Sequence, residues 1–388
     1  MINDYDALVV GCGLSGAVVA RILADNDYRV LILERRNHIA GNMYDYVDDY
    51  GILVHKYGPH TFHTKDERLY KFMCRYAKWD EYHLSCGAEI NGICTPTPFN
   101  FKTIDQFYSK NEAFKLKEHI GIVFGNRKIA TVLEVLNCQD PIVRKYAQFL
   151  FDNDYSLYTA KQWGVSASEI DPSVLKRVPL RFSYEEGYFD DDFQVMPNES
   201  YTSFFEKLLD SDNITIELNT DALTRLRINE NGAIRFDDST FCGVVVYSGA
   251  IDELFEYKYG KLPYRSLRFE WHHEDLQSKQ DYPVVAYPQA KGFTRIVEYN
   301  KLPFQKSNST TYEIEYPLPY DPDSDQEPYY PLLTQKSKEQ YKKYCCLAET
   351  IKNLYLCGRL ANFKYYNMDQ ALKNALALVE TIIEKKYL

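Results

Sequence analysis

Six residues near the start of this 388-residue chain, Gly11-Cys12-Gly13-Leu14-Ser15-Gly16, have the spacing that lets a backbone hold a pyrophosphate. The first glycine allows a tight strand-to-helix turn, the second lets backbone approach phosphate, and the third lets helix and strand pack closely. The N–H groups of the helix that begins there point at negative charge. Glu34, eighteen residues beyond Gly16, ends the next apolar run, where a carboxylate accepts from ribose hydroxyls. A lone glycine fingerprint is weak. Set between two apolar runs and followed by an acid, it predicts dinucleotide binding by Gly11, Gly13, Ser15, Gly16 and Glu34.

The next residues extend that chemistry. Arg35-Arg36-Asn37-His38-Ile39-Ala40-Gly41-Asn42 is a basic run followed by a small-residue turn. It resembles the extension in flavoproteins with two dinucleotide-binding domains, such as amine oxidases, and adds Arg35, Gly41 and Asn42 to the FAD set. Those flavoproteins usually carry two glycines here, and Ala40 departs from that pattern. A late apolar run ending in Gly358-Arg359, then a long helix from Met368, is the other end of such a site; the resemblance implies Arg359 at the flavin phosphate and Met368 at the start of the flavin-binding helix.

Five further strings carry the functional reading. They are Tyr57-Gly58-Pro59-His60-Thr61-Phe62-His63-Thr64, Tyr158-Thr159-Ala160-Lys161-Gln162-Trp163-Gly164 and Leu175-Lys176-Arg177-Val178-Pro179-Leu180-Arg181-Phe182, then Gly358-Arg359-Leu360 and Tyr365-Tyr366-Asn367-Met368-Asp369. Two histidines split by Phe62, with no third ligand in sight, do not make a metal site. In this order, over essentially the whole chain, the strings closely resemble the UDP-galactopyranose mutase family of bacteria. The resemblance implies an isomerase that interconverts UDP-galactopyranose and UDP-galactofuranose through an adduct between the sugar and N5 of reduced FAD. Galactofuranose would then feed surface glycans.

Roles carry over by position. Arg177 and Arg295 match a pair that clamps the UDP diphosphate, for which a planar guanidinium fork is suited. Pro172–Tyr188 matches a mobile lid. Tyr158 matches the uracil platform and Trp163 a pocket wall, while Tyr188, Tyr316 and Tyr365 match tyrosines around the diphosphate and sugar. His60 and His63 match the loop against the flavin, and Arg265 a position of looser role. Asn367 stands where many members have Asp, and Thr61 where an apolar residue is commoner; both bear on the sugar, for instance toward a 2-acetamido galactose. Two rival readings are a flavin amine-oxidase-like oxidoreductase and a non-catalytic FAD- or nucleotide-binding protein.

These residues need a frame to hold them. Asp6–Val10 and Arg29–Leu33 read as strands around a helix at Leu14–Leu23, and Cys242–Tyr247 and Leu354–Cys357 as later strands of one parallel sheet. The texture from Ile104 to Glu169 is helical. Ser266–His272, Tyr282–Tyr287, Phe293–Tyr299 and Thr310–Tyr316 suggest an antiparallel sheet, and Tyr316–Pro331 an ordered loop. The fold class is therefore α/β. A Rossmann-type FAD-binding domain (1–75, 205–260, 350–388) accompanies an inserted helical lid and uridine domain (101–180) and an antiparallel β-sheet domain (76–100, 181–204, 261–349).

Composition sets outer limits. A formal charge of -10 argues against nucleic acid as a partner. Nine cysteines, scattered and without any C-x-x-C, read as reduced thiols of a cytoplasmic protein. Neither a signal pattern nor a membrane-length apolar run is present. A homodimer is expected from the family habit, with no interface legible. The 34 tyrosines suit packing and pockets for flat, oxygen-rich ligands.

Overall fold

The computed structural model describes residues 4–164, 178–229 and 231–386. Ala7–Val10 and Val30–Leu33 are continuous apolar runs, as strands covered on both faces must be. They form the middle of a five-stranded parallel sheet in the order Ile214–Glu217, Val30–Leu33, Ala7–Val10, Val244–Tyr247, Leu354–Leu356. Side-chain alternation divides its core. Ala7, Val9, Val30 and Ile32 pack with the helices Leu14–Ala24, Tyr201–Leu209 and Met368–Lys386, while Leu8, Leu31 and Leu33 pack with the side that carries Ile251 and Tyr344. The sequence reading omits Ile214–Glu217. Only half-buried at the sheet edge, this strand lacks the apolar run that marks its neighbours.

A second sheet of seven strands runs Tyr330–Pro331, Tyr264–Glu274, Thr310–Pro319, Arg295–Glu298, Val284–Ala286, Cys86–Ile90, Ile93–Thr97. It is antiparallel except at one seam, where Val284–Ala286 lies parallel to Cys86–Ala88. No hairpin joins those strands in sequence, so the seam can take either direction. The stretch read as a loop is partly strand. Thr310–Pro319 outruns Tyr316, and Tyr330–Pro331 pairs with Tyr264–Arg265.

Helices from Phe101 onward build a third core around Leu116, Val143, Ala147 and Leu150. Pro141–Leu150 begins under Asp140, whose carboxylate accepts from Ile142 and Val143 N–H, and Pro141 has no N–H to leave orphaned. Its end widens into a π turn at Phe151–Tyr155, where Ser156 N–H reaches back to Phe151 O, before Ser156–Trp163 continues as α-helix. Arg177, residues 172–177 of the expected lid and residues 165–169 of the expected helical stretch lie outside the described residues. Among the described residues, no helix is long and apolar enough to cross a membrane.

Candidate functional site

Close backbone approaches build the glycine turn. Gly11 takes φ +96°, and a Cβ there would meet Ser248 Oγ at 2.2 Å. At Gly16 a Cβ would fall 2.0 Å from Gly11 O, so the helix starts directly beneath the turn. Gly41 lies over Gly13, and its missing Cβ would stand 2.7 Å from Gly13 Cα. The second glycine of the fingerprint thus admits another stretch of backbone as well as a ligand. Ala40 sits at φ +74°, in the left-handed region that costs an L-residue about 1–2 kcal/mol, which explains the glycine expected there.

Glu34 holds this turn from the second strand. Its carboxylate accepts from Cys12 N–H at 2.7 Å and from Arg36 N–H at 2.9 Å. Helix Leu14–Ala24 begins without a side-chain cap, which leaves its first N–H groups facing the space above. That space is a cleft of about 1270 Å³, open mouth included. Glu34, Arg35, Thr220 and Asp221 line it where the second strand ends; His60, Arg359, Asn367 and Met368 line it where the last helix begins. Gly11, Gly13, Ser15, Gly16, Gly41 and Asn42 line it as well.

Arg35 and Arg36 are drawn together by Glu327, at 2.5 and 3.1 Å. Burial opposes that carboxylate's charge, yet the two guanidiniums hold its pKa below the ordinary range. Arg36 also lies 4.3 Å over the Tyr57 ring and donates to Asn42 Oδ1. Arg35 therefore meets the cleft as part of an ion-pair network.

The second half of the site stands on the seven-stranded sheet. Arg295 Nε and Nη2 both donate to Glu315 Oε2, at 2.9 and 2.6 Å. Glu315 is fully buried, and so is Glu313 on the same face, whose carboxyl oxygens have no hydrogen-bond partner among the described residues. Burial, then the neighbouring Glu315 charge, push the Glu313 pKa far upward, so it is held as the neutral acid. Tyr158 is near enough for Arg295 and Glu315 to bear on its phenol. Trp163 meets Tyr330 edge-on at 5.1 Å and Tyr365 at 6.1 Å. Arg359 lies 4.8 Å over the Tyr365 ring and donates to Tyr366 O at 2.6 Å.

His60 joins the two halves. It lines the cleft, and burial with the nearby charges of Arg359 and Arg295 presses its pKa down to about 4. Nδ1 lies 2.8 Å from Gly58 O, which places the proton on Nδ1 and leaves Nε2 an acceptor. The His60 backbone N–H donates to His55 Nδ1 at 3.0 Å, and burial pushes buried His55 to about 3.

Not every expected residue gathers here. His63 is absent from the cleft lining; it pairs through Nδ1 with Asp191 at 2.9 Å and stacks on Phe189 at 3.6 Å. Tyr188, by contrast, does reach the site: it packs edge-on against the same Phe189 and stands near enough for its charge to bear on the Tyr158 phenol, as Tyr365 does. The pleat puts Tyr316 on the face opposite Glu315, against Arg268 at 4.0 Å and Phe293. Arg265 caps the end of Ser156–Trp163, donating to Gln162 O at 3.0 Å. Sequence reasoning missed Tyr329, Tyr330, Glu313, Glu315 and Glu327. Glu313 and Glu315 occupy the polar positions of a regular alternation, Tyr312-Glu313-Ile314-Glu315-Tyr316, which reads as a solvent face, so no local signal marked them as buried; the tyrosine pair between Pro328 and Pro331 was a signal there to use.

Comparison with known proteins places this geometry. A family profile for UDP-galactopyranose mutase matches residues 154–365, and one for an NAD(P)-binding Rossmann-like domain matches residues 9–76. The chain is 37% identical to UDP-galactopyranose mutase of Mycoplasma genitalium, covering 96% of this chain and 93% of that protein. It is 32% identical to dTDP-fucopyranose mutase of Escherichia coli, covering 97% and 98%. A crystal structure of reduced UDP-galactopyranose mutase shares the fold, with a TM-score of 0.75 at 12% identity over 98% of this chain and 94% of that one. On its sequence relatives and its profile match, the chain belongs to the UDP-galactopyranose mutase family and is an isomerase of that kind.

Proposed function

We propose that this chain interconverts UDP-galactopyranose and UDP-galactofuranose with reduced FAD held in the cleft, in the cytoplasm, supplying galactofuranose for surface glycans. The observation that carries the proposal is the position of His60. It lines the dinucleotide cleft while standing within the field of Arg295, so a cofactor end and a nucleotide-sugar end adjoin at one residue.

A flavin dinucleotide suits the residues present. The uncapped helix start and the Gly13–Gly41 backbone approach form a pyrophosphate cradle, and Glu34 ends the ribose side. Gly11, Gly13, Ser15, Gly16, Gly41 and Asn42 would hold the dinucleotide, with Arg359 and Met368 toward the ring and Arg35 at the rim. When bound and reduced, the flavin supplies a nucleophilic nitrogen for the anomeric carbon.

The chain's own residues bind and orient. Glu315 engages Nε and Nη2 of Arg295, which leaves Nη1 for a phosphate oxygen. A hydrogen bond to such a charged group is worth about 1.5–3 kcal/mol. Arg177 would close the clamp. Tyr158 and Trp163 offer the uracil a stacking wall, and Tyr365 with Asn367 border the sugar. His60, neutral with Nε2 as acceptor, can take a hydrogen bond from a sugar hydroxyl or from the cofactor.

Chromatography of UDP-galactofuranose incubated with the purified protein tests the reading, with dTDP-fucofuranose in parallel because a relative acts on dTDP-fucopyranose. Conversion of the UDP-sugar only with reduced flavin is expected. Turnover with oxidised flavin and oxygen uptake would favour the oxidoreductase instead. Tyr158→Ala should weaken UDP binding by roughly 10-fold or more while flavin content stays the same; unchanged UDP affinity removes the stacking role.

A further inference from the structure

One ammonium ties the two substrate-binding elements together. Lys161 Nζ donates to three backbone carbonyls, Tyr287 O at 2.6 Å, Ala290 O at 2.7 Å and Phe293 O at 2.7 Å. All three belong to the turn between Val284–Ala286 and Arg295–Glu298, and Arg295 follows Phe293 by two residues. Lys161 itself is on Ser156–Trp163, one helical turn after Tyr158 and two residues before Trp163. An ammonium has three N–H donors and no acceptor, so three converging carbonyls satisfy it completely. Burial draws its pKa down to about 8 with Asp154 opposing, so it keeps its charge at neutral pH.

A second tie runs beside the first. Gln289, in the same turn, donates to Asn153 Oδ1 at 3.1 Å and to Asn91 Oδ1 at 3.0 Å. Asn153 sits in the π turn that leads into the Tyr158 helix. The turn before Arg295 is thus fastened at both ends of the helical segment that presents Tyr158.

We propose that Lys161 is a positioning residue for nucleotide-sugar binding: its three bonds set the spacing between the base platform on Ser156–Trp163 and the diphosphate arginine Arg295. The inference rests on the roles given above to Tyr158 and Arg295. A nucleoside diphosphate has fixed length between base and phosphates, so two contacts act together only when that spacing is held. Loss of the staple removes binding shared by ground and transition states, which raises KM and leaves kcat in place.

The test uses the full flavin-loaded protein, with UDP alone as the binding probe and UDP-galactofuranose as the turnover probe. Lys161→Met should raise both the UDP Kd and the KM by roughly 10-fold or more, with kcat within about threefold of wild type and flavin content unchanged. Gln289→Ala, which removes the outer tie and leaves no ammonium-sized gap, should raise them by about two- to fivefold, and it decides the matter if Lys161→Met does not fold. If wild type binds and converts but the folded variants keep its UDP affinity, or lose kcat and not KM, the positioning role is overturned and the functional reading stands. If wild type neither binds UDP nor converts the sugar, both fall.

Discussion

The two halves of the site are held by different means. The cofactor half depends on absent side chains: Gly11, Gly16 and Gly41 each fill a place where a Cβ would collide with backbone or Ser248. The substrate half depends on long side chains that reach between elements: Lys161 to a turn, Arg265 to a helix end, Arg295 to Glu315. Backbone contacts tolerate almost no change, whereas side-chain ties can be loosened by degrees. One half should respond to substitution by collapse and the other by graded loss of affinity.

The strongest break of that contrast would come from Gly41→Ala. The new Cβ meets Gly13 Cα in a left-handed turn, so unfolding free energy should drop by roughly 2–5 kcal/mol and the protein should emerge colourless. A yellow variant of normal stability in urea would show that the cofactor half is not backbone-limited. Arg295→Lys comes next. It keeps a positive charge beside Glu315 but loses the fork, and kcat/KM should fall by about 10- to 100-fold in a folded protein. Full activity would show that charge alone suffices there.

The seam between the halves should reveal itself in acid. His55 titrates near 3 when folded against an ordinary value of 6.5, so its stabilising contribution is complete above pH 6.5 and is lost as pH falls toward 3. Unfolding free energy from urea titrations between pH 7 and 5 should decline by up to about 1.4 kcal/mol per pH unit from this residue, and His55→Gln should make that limb shallower, leaving the share that His60 contributes. An equally steep limb in the variant would move the cause elsewhere. The smallest effect is a gain. Ala40→Gly should relieve the left-handed strain and stabilise by a few tenths to about 1 kcal/mol, read as a rise in thermal midpoint.

The same contrast governs what could be read from sequence. Glycine positions and buried parallel strands are local signals, because a positive φ or an unbroken apolar run is written in consecutive residues. The glycine turn and four strands of the parallel sheet were legible for that reason, although Glu34 proved to hold the backbone of the turn itself. The ties of Lys161 and Arg265 join residues more than a hundred positions apart, and no spacing rule announces them. Lys161 stands in one of the quoted strings without a role of its own and Glu327 in none, until the fold brings carbonyls to one and two arginines to the other. Tyr316 shows the converse, since a residue can match a family position and still be turned by the pleat to the face opposite Glu315.

The widened turn at Phe151–Tyr155 has a consequence for insertions and deletions. It feeds one extra residue into an otherwise continuous helix, and each residue rotates the following face by about 100°. Removing a single residue there would preserve every side chain downstream and swing both the phenol and the ammonium a quarter-turn off the sheet. Length in this stretch is therefore as constrained as chemistry, and related chains that bind the same ligand should differ here by substitution rather than by a gap.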